Sequence, residues 1–176
     1  YVNKMFVILP FEVDYYQKKG IPVVYEGNPL IDSVKEKAVG IQDKNTFLNA
    51  NKFGKEKIIA LLPGSRKQEI DRVLPAMLSV VSKFPGYQFV IAATSWFEKS
   101  FYQQYIQELP VSLVFDQTLN LLSHARAALV TSGTATLETA IMDTPQVVCY
   151  RTSAISYAIA KRLVKVPFIS LVNLIM

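Results

Sequence analysis

Two short runs of this chain carry the residue types that hold a phosphorylated ligand. Ile59-Ala-Leu-Leu-Pro-Gly64-Ser65-Arg66-Lys-Gln-Glu69-Ile70 and Ala128-Leu-Val-Thr-Ser132-Gly133-Thr134-Ala-Thr136-Leu-Glu138 each pass from an apolar strand, through a glycine turn, into a helix start. Such a start carries roughly half a positive charge and several backbone N–H groups that lack intrahelical acceptors. Arg66 adds a planar guanidinium able to grip two phosphate oxygens at once, so a diphosphate is the natural guest. Glu138 sits one turn into the second helix. It is a poor neighbour for phosphate but a good acceptor for sugar hydroxyls, as acidic residues are for ribose in dinucleotide-binding folds. Together the two runs read as a site for a nucleoside diphosphate.

Each motif also has a plainer reading. Ser65-Arg-Lys-Gln68 fits a capping box that merely closes a helix end. Arg66 and Glu69 fit a surface pair stabilising by a few tenths of a kcal/mol, and Gly133 fits simple turn chemistry. The occurrence of both motifs in one α/β array is what favours a ligand.

The elements that must position these residues follow from hydrophobic patterning. Strand-like runs fall at 5–9, 23–26, 57–62, 88–93, 111–115, 127–131 and 146–150, and those after residue 55 are continuous rather than alternating. Continuous runs imply burial on both faces, hence parallel pairing through crossover helices. Helices are predicted at 13–19, 68–84, 97–107, 117–123, 134–142 and 154–164. The clearest is 68–84, where Ile70, Val73, Leu74, Met77, Leu78, Val81 and Phe84 form one stripe. Within it Pro75 is expected to kink the helix or to move its start toward Leu74. Ligands of such sheets lie beyond the carboxyl ends of the strands, where both motifs fall.

Residues 33–55 are polar without a clear period and read as a loop or variable insertion. Residues 1–32 contribute a strand, a short helix and the turn Gly27-Asn28-Pro29, and residues 56–176 form the main Rossmann-like domain. The chain opens directly in a strand and stops in the apolar run Pro167–Met176, so further residues are expected on both sides. That run is interrupted by Asn173 and is shorter than the roughly 20 residues that span a bilayer.

Composition narrows the classes. A chain that is 51% hydrophobic with a net charge of +5 is globular, and its dispersed basic residues lack the stripe interleaved with aromatics that marks a nucleic-acid surface. The single cysteine, Cys149, lies in the apolar run Gln146–Tyr150 and reads as a strand residue rather than a nucleophile. With His124 the only histidine, no Cys/His ligand cluster is available, and neither a metal nor a cofactor is expected. Lys161, Arg162 and Lys165 close the helical stripe Ile155, Ile159, Leu163. They read as cations at a helix C-terminus before they read as a membrane contact.

Taken in order, the blocks Leu9-Pro-Phe-Glu12, Gly20-Ile-Pro-Val, Gly27-Asn-Pro-Leu30, Leu62-Pro-Gly-Ser-Arg-Lys-Gln-Glu-Ile70, Thr131-Ser-Gly-Thr-Ala-Thr-Leu-Glu138, Thr144-Pro with Val147-Val, Tyr150-Arg, Leu163-Val-Lys-Val-Pro, Ser170-Leu and Asn173-Leu-Ile resemble the lipid-A-disaccharide synthase family. The resemblance covers most of the chain apart from 33–55 and 97–115. It implies the C-terminal, donor-nucleotide half of a two-domain GT-B glycosyltransferase, with the acceptor-side domain and a general-base aspartate upstream of Tyr1. The implied reaction passes a 2,3-diacylglucosamine unit from its UDP carrier to 2,3-diacylglucosamine 1-phosphate, at the cytoplasmic face of a bacterial inner membrane. Peripheral attachment and a possible homo-oligomer come with it.

Carried over by position, Gly64, Ser65 and Arg66 match the turn and arginine near the donor diphosphate, Ser132, Gly133 and Thr134 match the second phosphate-facing loop, and Glu138 resembles the residue that meets the ribose. Glu69 joins this set beside Arg66, and Asn173 matches a polar position near the donor. Two departures stand out: Val172 where proline is common, and Met142-Asp143 where a glycine is common, both expected to alter loop shape near the site. Two rivals share the pattern. A UDP-N-acetylglucosamine 2-epimerase of the same architecture needs additional acidic and histidine groups, and a non-catalytic nucleotide-binding module needs none.

Overall fold

The computed structural model describes residues 4–151. The predicted helix 154–164, the cations near 161–165, Val172 and Asn173 lie outside the described residues.

The main sheet has five strands, β3 (Lys57–Leu62), β4 (Tyr87–Ala93), β5 (Val111–Phe115), β6 (Ala125–Thr131) and β7 (Gln146–Cys149), all parallel and ordered β5-β4-β3-β6-β7. The continuous apolar runs are two-faced, as expected. In β3, Leu61 enters one core while Ile58, Ala60 and Leu62 enter the other, and in β4 Ile91 and Val90 divide in the same way. On the first face lie α4 (Lys67–Leu78) and α5 (Lys99–Ile106), and on the second α6 (Thr118–His124) and α7 (Thr134–Ile141). This is a doubly wound, Rossmann-like α/β arrangement.

The α4 stripe packs as its spacing predicts: Ile70, Val73, Leu74, Met77 and Leu78 are buried. Two expectations about this helix need correction. It starts at Lys67, with Pro75 inside the helix, so the proline does not move its start toward Leu74. It stops at Leu78, before a 3-10 turn at Val81–Lys83, which leaves Phe84 half exposed rather than in the stripe.

Residues 33–55 are not a loop. They hold most of α2 (Pro29–Ala38) and all of α3 (Lys44–Ala50). Asn28 caps α2 by accepting from the Leu30 N–H at 3.0 Å, with Pro29 in the first helical position where its missing N–H costs nothing. Asp43 caps α3 by accepting from the N–H groups of Asn45 and Thr46. Phe47 of α3 is fully buried in the second core, edge-on to Phe53 at 5.8 Å and beside the His124 ring at 5.3 Å. That burial, about 1.5–3 kcal/mol, ties the segment to the sheet, and α2 packs on α6 and α7.

Ahead of these, β1 (Met5–Val7) and β2 (Val23–Tyr25) pair in parallel around α1 (Pro10–Gln17), forming a second, two-stranded sheet. Among the described residues no helix is long and apolar enough to cross a membrane.

Candidate functional site

The strand order reverses between β3 and β6, which are neighbours in space but far apart in sequence. A crevice outside the carboxyl ends of such strands is where open α/β sheets bind ligands. Here it is a cleft of about 460 Å³. Gly64, Ser65, Arg66 and Glu69 line it from the β3–α4 side, and Ser132, Gly133, Thr134 and Glu138 from the β6–α7 side. Every predicted site residue among the described ones therefore shares one cavity.

At the first mouth the chain turns at Gly64 with φ 105°, a conformation costly for any residue with a Cβ. A Cβ there would also come within 2.5 Å of the Glu69 carboxylate and 3.3 Å of the Thr131 methyl. The helix cap differs from the sequence expectation: Arg66, not Ser65, is the N-cap, and Glu69, not Gln68, reaches back. The Glu69 carboxylate accepts from the Arg66 N–H at 3.4 Å and faces its guanidinium at 3.5 Å. Both contacts are long, and the Arg66 side chain is 83% exposed, so the pair holds the guanidinium loosely. The first-turn N–H groups of Lys67 and Gln68 have no acceptor inside the helix.

The second mouth is bare by comparison. Gly133 takes φ 156° and ψ −162°, which only glycine adopts readily, and no atom crowds the place where a Cβ would stand. The Ser132 N–H donates to the Cys149 carbonyl at 3.1 Å, which fixes the loop to β7 rather than pointing that group at a ligand. The outward donors are those at the start of α7, from Thr134 and Ala135. Thr136 steadies this turn by donating its hydroxyl to the Gly133 carbonyl at 2.7 Å.

Glu138 faces the cleft half-buried, and burial pushes its carboxyl above the usual carboxylate range, with Lys37 of α2 opposing the shift. Cys149 is a half-buried strand residue whose thiol burial likewise pushes up, the opposite of what activates a nucleophile.

The sequence reading missed a third wall. Thr94, Asp116 and Thr118, which follow β4 and β5, also line the cleft. Their loops are clasped together: Asp116, at φ 53°, accepts from the Ser95 N–H at 3.2 Å and donates its own N–H to Ala93, while the buried Tyr102 hydroxyl accepts from Thr94 N–H at 3.1 Å. No glycine marks this wall; the rule that ligands sit at strand carboxyl ends was the signal available. One departure noted above also moves. Asp143 takes φ 54° just past the end of α7, the left-handed position that glycine fills at helix ends. It thus lies at the far end of α7 from the cleft and does not shape the site.

Comparison with known proteins identifies the family. A family model described as lipid-A-disaccharide synthetase matches residues 1–176. The lipid-A-disaccharide synthases of Trichlorobacter lovleyi and Syntrophus aciditrophicus are 36% and 38% identical over 99% of this chain, and that of Pseudomonas putida strain GB-1 is 36% identical over 97%. The chain spans 46% of the length of each of these relatives. Among solved structures, the UDP-GlcNAc 2-epimerase of Neisseria meningitidis bound to UDP-GlcNAc superposes with a TM-score of 0.60 at 22% identity, covering 97% of this chain and 50% of that one. At that identity the likeness concerns the fold. The sequence relatives and the family match carry the assignment: this chain belongs to the lipid-A-disaccharide synthetase family.

Proposed function

We propose that this chain supplies the donor-nucleotide site of an enzyme that transfers 2,3-diacylglucosamine from UDP to 2,3-diacylglucosamine 1-phosphate and releases UDP. One observation carries the reading: two helix starts, a loosely held guanidinium and a half-buried carboxylate line a single cleft at the point where the sheet order reverses. Arg66 and the N–H groups opening α4 and α7 hold the diphosphate, Gly64, Ser65, Ser132, Gly133 and Thr134 shape its bed, and Glu138 accepts from the ribose. Glu69 parks the guanidinium until the donor arrives. Asn173 belongs to the same site by family position.

The chemistry follows from charge. An acceptor hydroxyl attacks the anomeric carbon, its proton passes to a base outside this chain, and the bond from that carbon to the diphosphate oxygen breaks. Negative charge on the diphosphate grows as the bond lengthens, so donors already aimed at it stabilise the transition state more than the ground state.

In this reading residues 1–32 connect to the acceptor-side domain, and residues 56–176, with α2 and α3 packed on them, form the nucleotide domain. The enzyme works as a peripheral protein on the cytoplasmic face of the inner membrane, with self-association open to it. The test uses the full-length protein. UDP release from UDP-2,3-diacylglucosamine that depends on 2,3-diacylglucosamine 1-phosphate, and yields a disaccharide, supports the reading. Epimerisation of UDP-N-acetylglucosamine, or UDP binding without any transfer, overturns it.

A further inference from the structure

A second concavity opens off the donor cleft. It holds about 530 Å³, shares Arg66, Glu69, Thr131 and Ser132 with the cleft, and adds Lys67, Arg72 and Arg151 to its lining. Four cations thus meet there, from the cap and first two turns of α4 and from the chain just past β7, against the one carboxylate of Glu69. Among the described residues the only ion pair is Arg66 with Glu69, so Lys67, Arg72 and Arg151 present unneutralised charge. Cations gathered in a hollow, rather than spread over a convex face, fit a compact anion better than a lipid surface. The volume suits a sugar phosphate.

We infer that this hollow is a phosphate-monoester subsite, in which Arg72 and Arg151 hold the 1-phosphate of the acceptor sugar. The inference rests on the transferase reading above. A phosphate monoester carries about 1.5 to 2 negative charges at neutral pH, and two guanidinium groups from different segments match its oxygens with paired hydrogen bonds. Placing it beside the diphosphate cleft brings the acceptor sugar alongside the breaking bond. The donor half would then hold one end of each substrate, and the acceptor would be aligned by charge as well as by its acyl chains.

The test is steady-state kinetics of the full-length protein with each substrate varied in turn, comparing wild type with Arg72→Gln, Arg151→Gln and Arg151→Lys. Either glutamine variant is expected to raise the acceptor KM about ten- to a hundredfold, with donor KM and UDP affinity unchanged, and lysine is expected to restore part of the loss. Removing the phosphate from the acceptor should weaken wild type by a similar factor, and combining that acceptor with Arg151→Gln should not multiply the two losses. A donor KM that rises in step with the acceptor KM overturns the subsite. So does an unchanged acceptor KM accompanied by lost sedimentation with phosphatidylglycerol vesicles, which would make the patch a membrane contact. If wild type itself transfers nothing, the transferase reading fails before any variant is compared.

Discussion

The two mouths of the cleft have the same strand-turn-helix build and opposite equipment. The first is crowded and charged: Gly64 is packed against Glu69 and Thr131, and Arg66 stands at the helix cap. The second is open and carries the half-buried Glu138 carboxyl in place of a cation, with free space over Gly133 and its loop fastened through Ser132 to β7. The contrast teaches a division of labour. In the proposed reading, one mouth brings an exposed charge to meet the leaving group, and the other brings fixed backbone dipoles and room for the ligand to approach.

The sharpest way to break this contrast is to remove the charge. Arg66→Ala in the full-length protein is expected to lower kcat by about 10²–10³. Its melting temperature should stay at the wild-type value, because the pair it loses is long and exposed. Assay and melting curve together check this, and near-normal turnover of a folded variant would remove Arg66 from the chemistry.

Next come the glycines. Gly64→Ala and Gly133→Ala each impose about 1–3 kcal/mol of backbone strain, but the first also drives Glu69 from its place at the α4 cap. Denaturant unfolding should therefore find Gly64→Ala the less stable, while UDP titration should find Gly133→Ala the more impaired relative to its stability. Equal stability losses would mean that the crowding at Gly64 relaxes freely.

Glu138 sharpens the comparison through pH. Burial raises its carboxyl, and Lys37 partly offsets this, so the native state binds that proton more tightly than the unfolded chain. Its contribution to stability is therefore complete below the ordinary glutamate range and declines as pH rises through the raised value. Glu138→Gln does not titrate. It is expected to melt with wild type in acid and up to a few degrees higher at neutral pH, while binding UDP more weakly at neutral pH. A variant less stable than wild type at neutral pH would show that the carboxylate holds the fold rather than waiting for a ligand.

The smallest effect concerns Ser65. As it is not the cap of α4, Ser65→Ala should change stability by less than about 0.5 kcal/mol, whereas loss of a capping serine costs about 1 kcal/mol. Thermal unfolding distinguishes the two.

The sheet and both mouths were legible in the residues because they rest on strong local signals. Runs such as Lys57–Leu62 leave no polar face, and glycines at strand ends mark sharp turns. The segment 33–55 was opaque for a physical reason. Its helices bury little beyond Val34 and Phe47, too few positions to show a period. Their starts were nonetheless written in Asn28-Pro29 and Asp43-x-x-Thr46, which are cap signals that also read as turns. The cap of α4 was misplaced by one residue because S-x-x-Q and R-x-x-E overlap, and it is the Glu69 carboxylate that reaches back, to the Arg66 N–H. Thr94 and Asp116 escaped notice because their loops are held by side-chain and backbone hydrogen bonds, not by glycine.

The central claim, a diphosphate gripped by Arg66 between two helix starts, is tested most directly by calorimetric titration of UDP and UMP into wild type and Arg66→Ala. The account predicts that wild type binds UDP more tightly than UMP, and that Arg66→Ala erases most of that difference by weakening UDP. A wild type that does not distinguish the two nucleotides, or an Arg66→Ala variant that keeps the full preference for UDP, would contradict it.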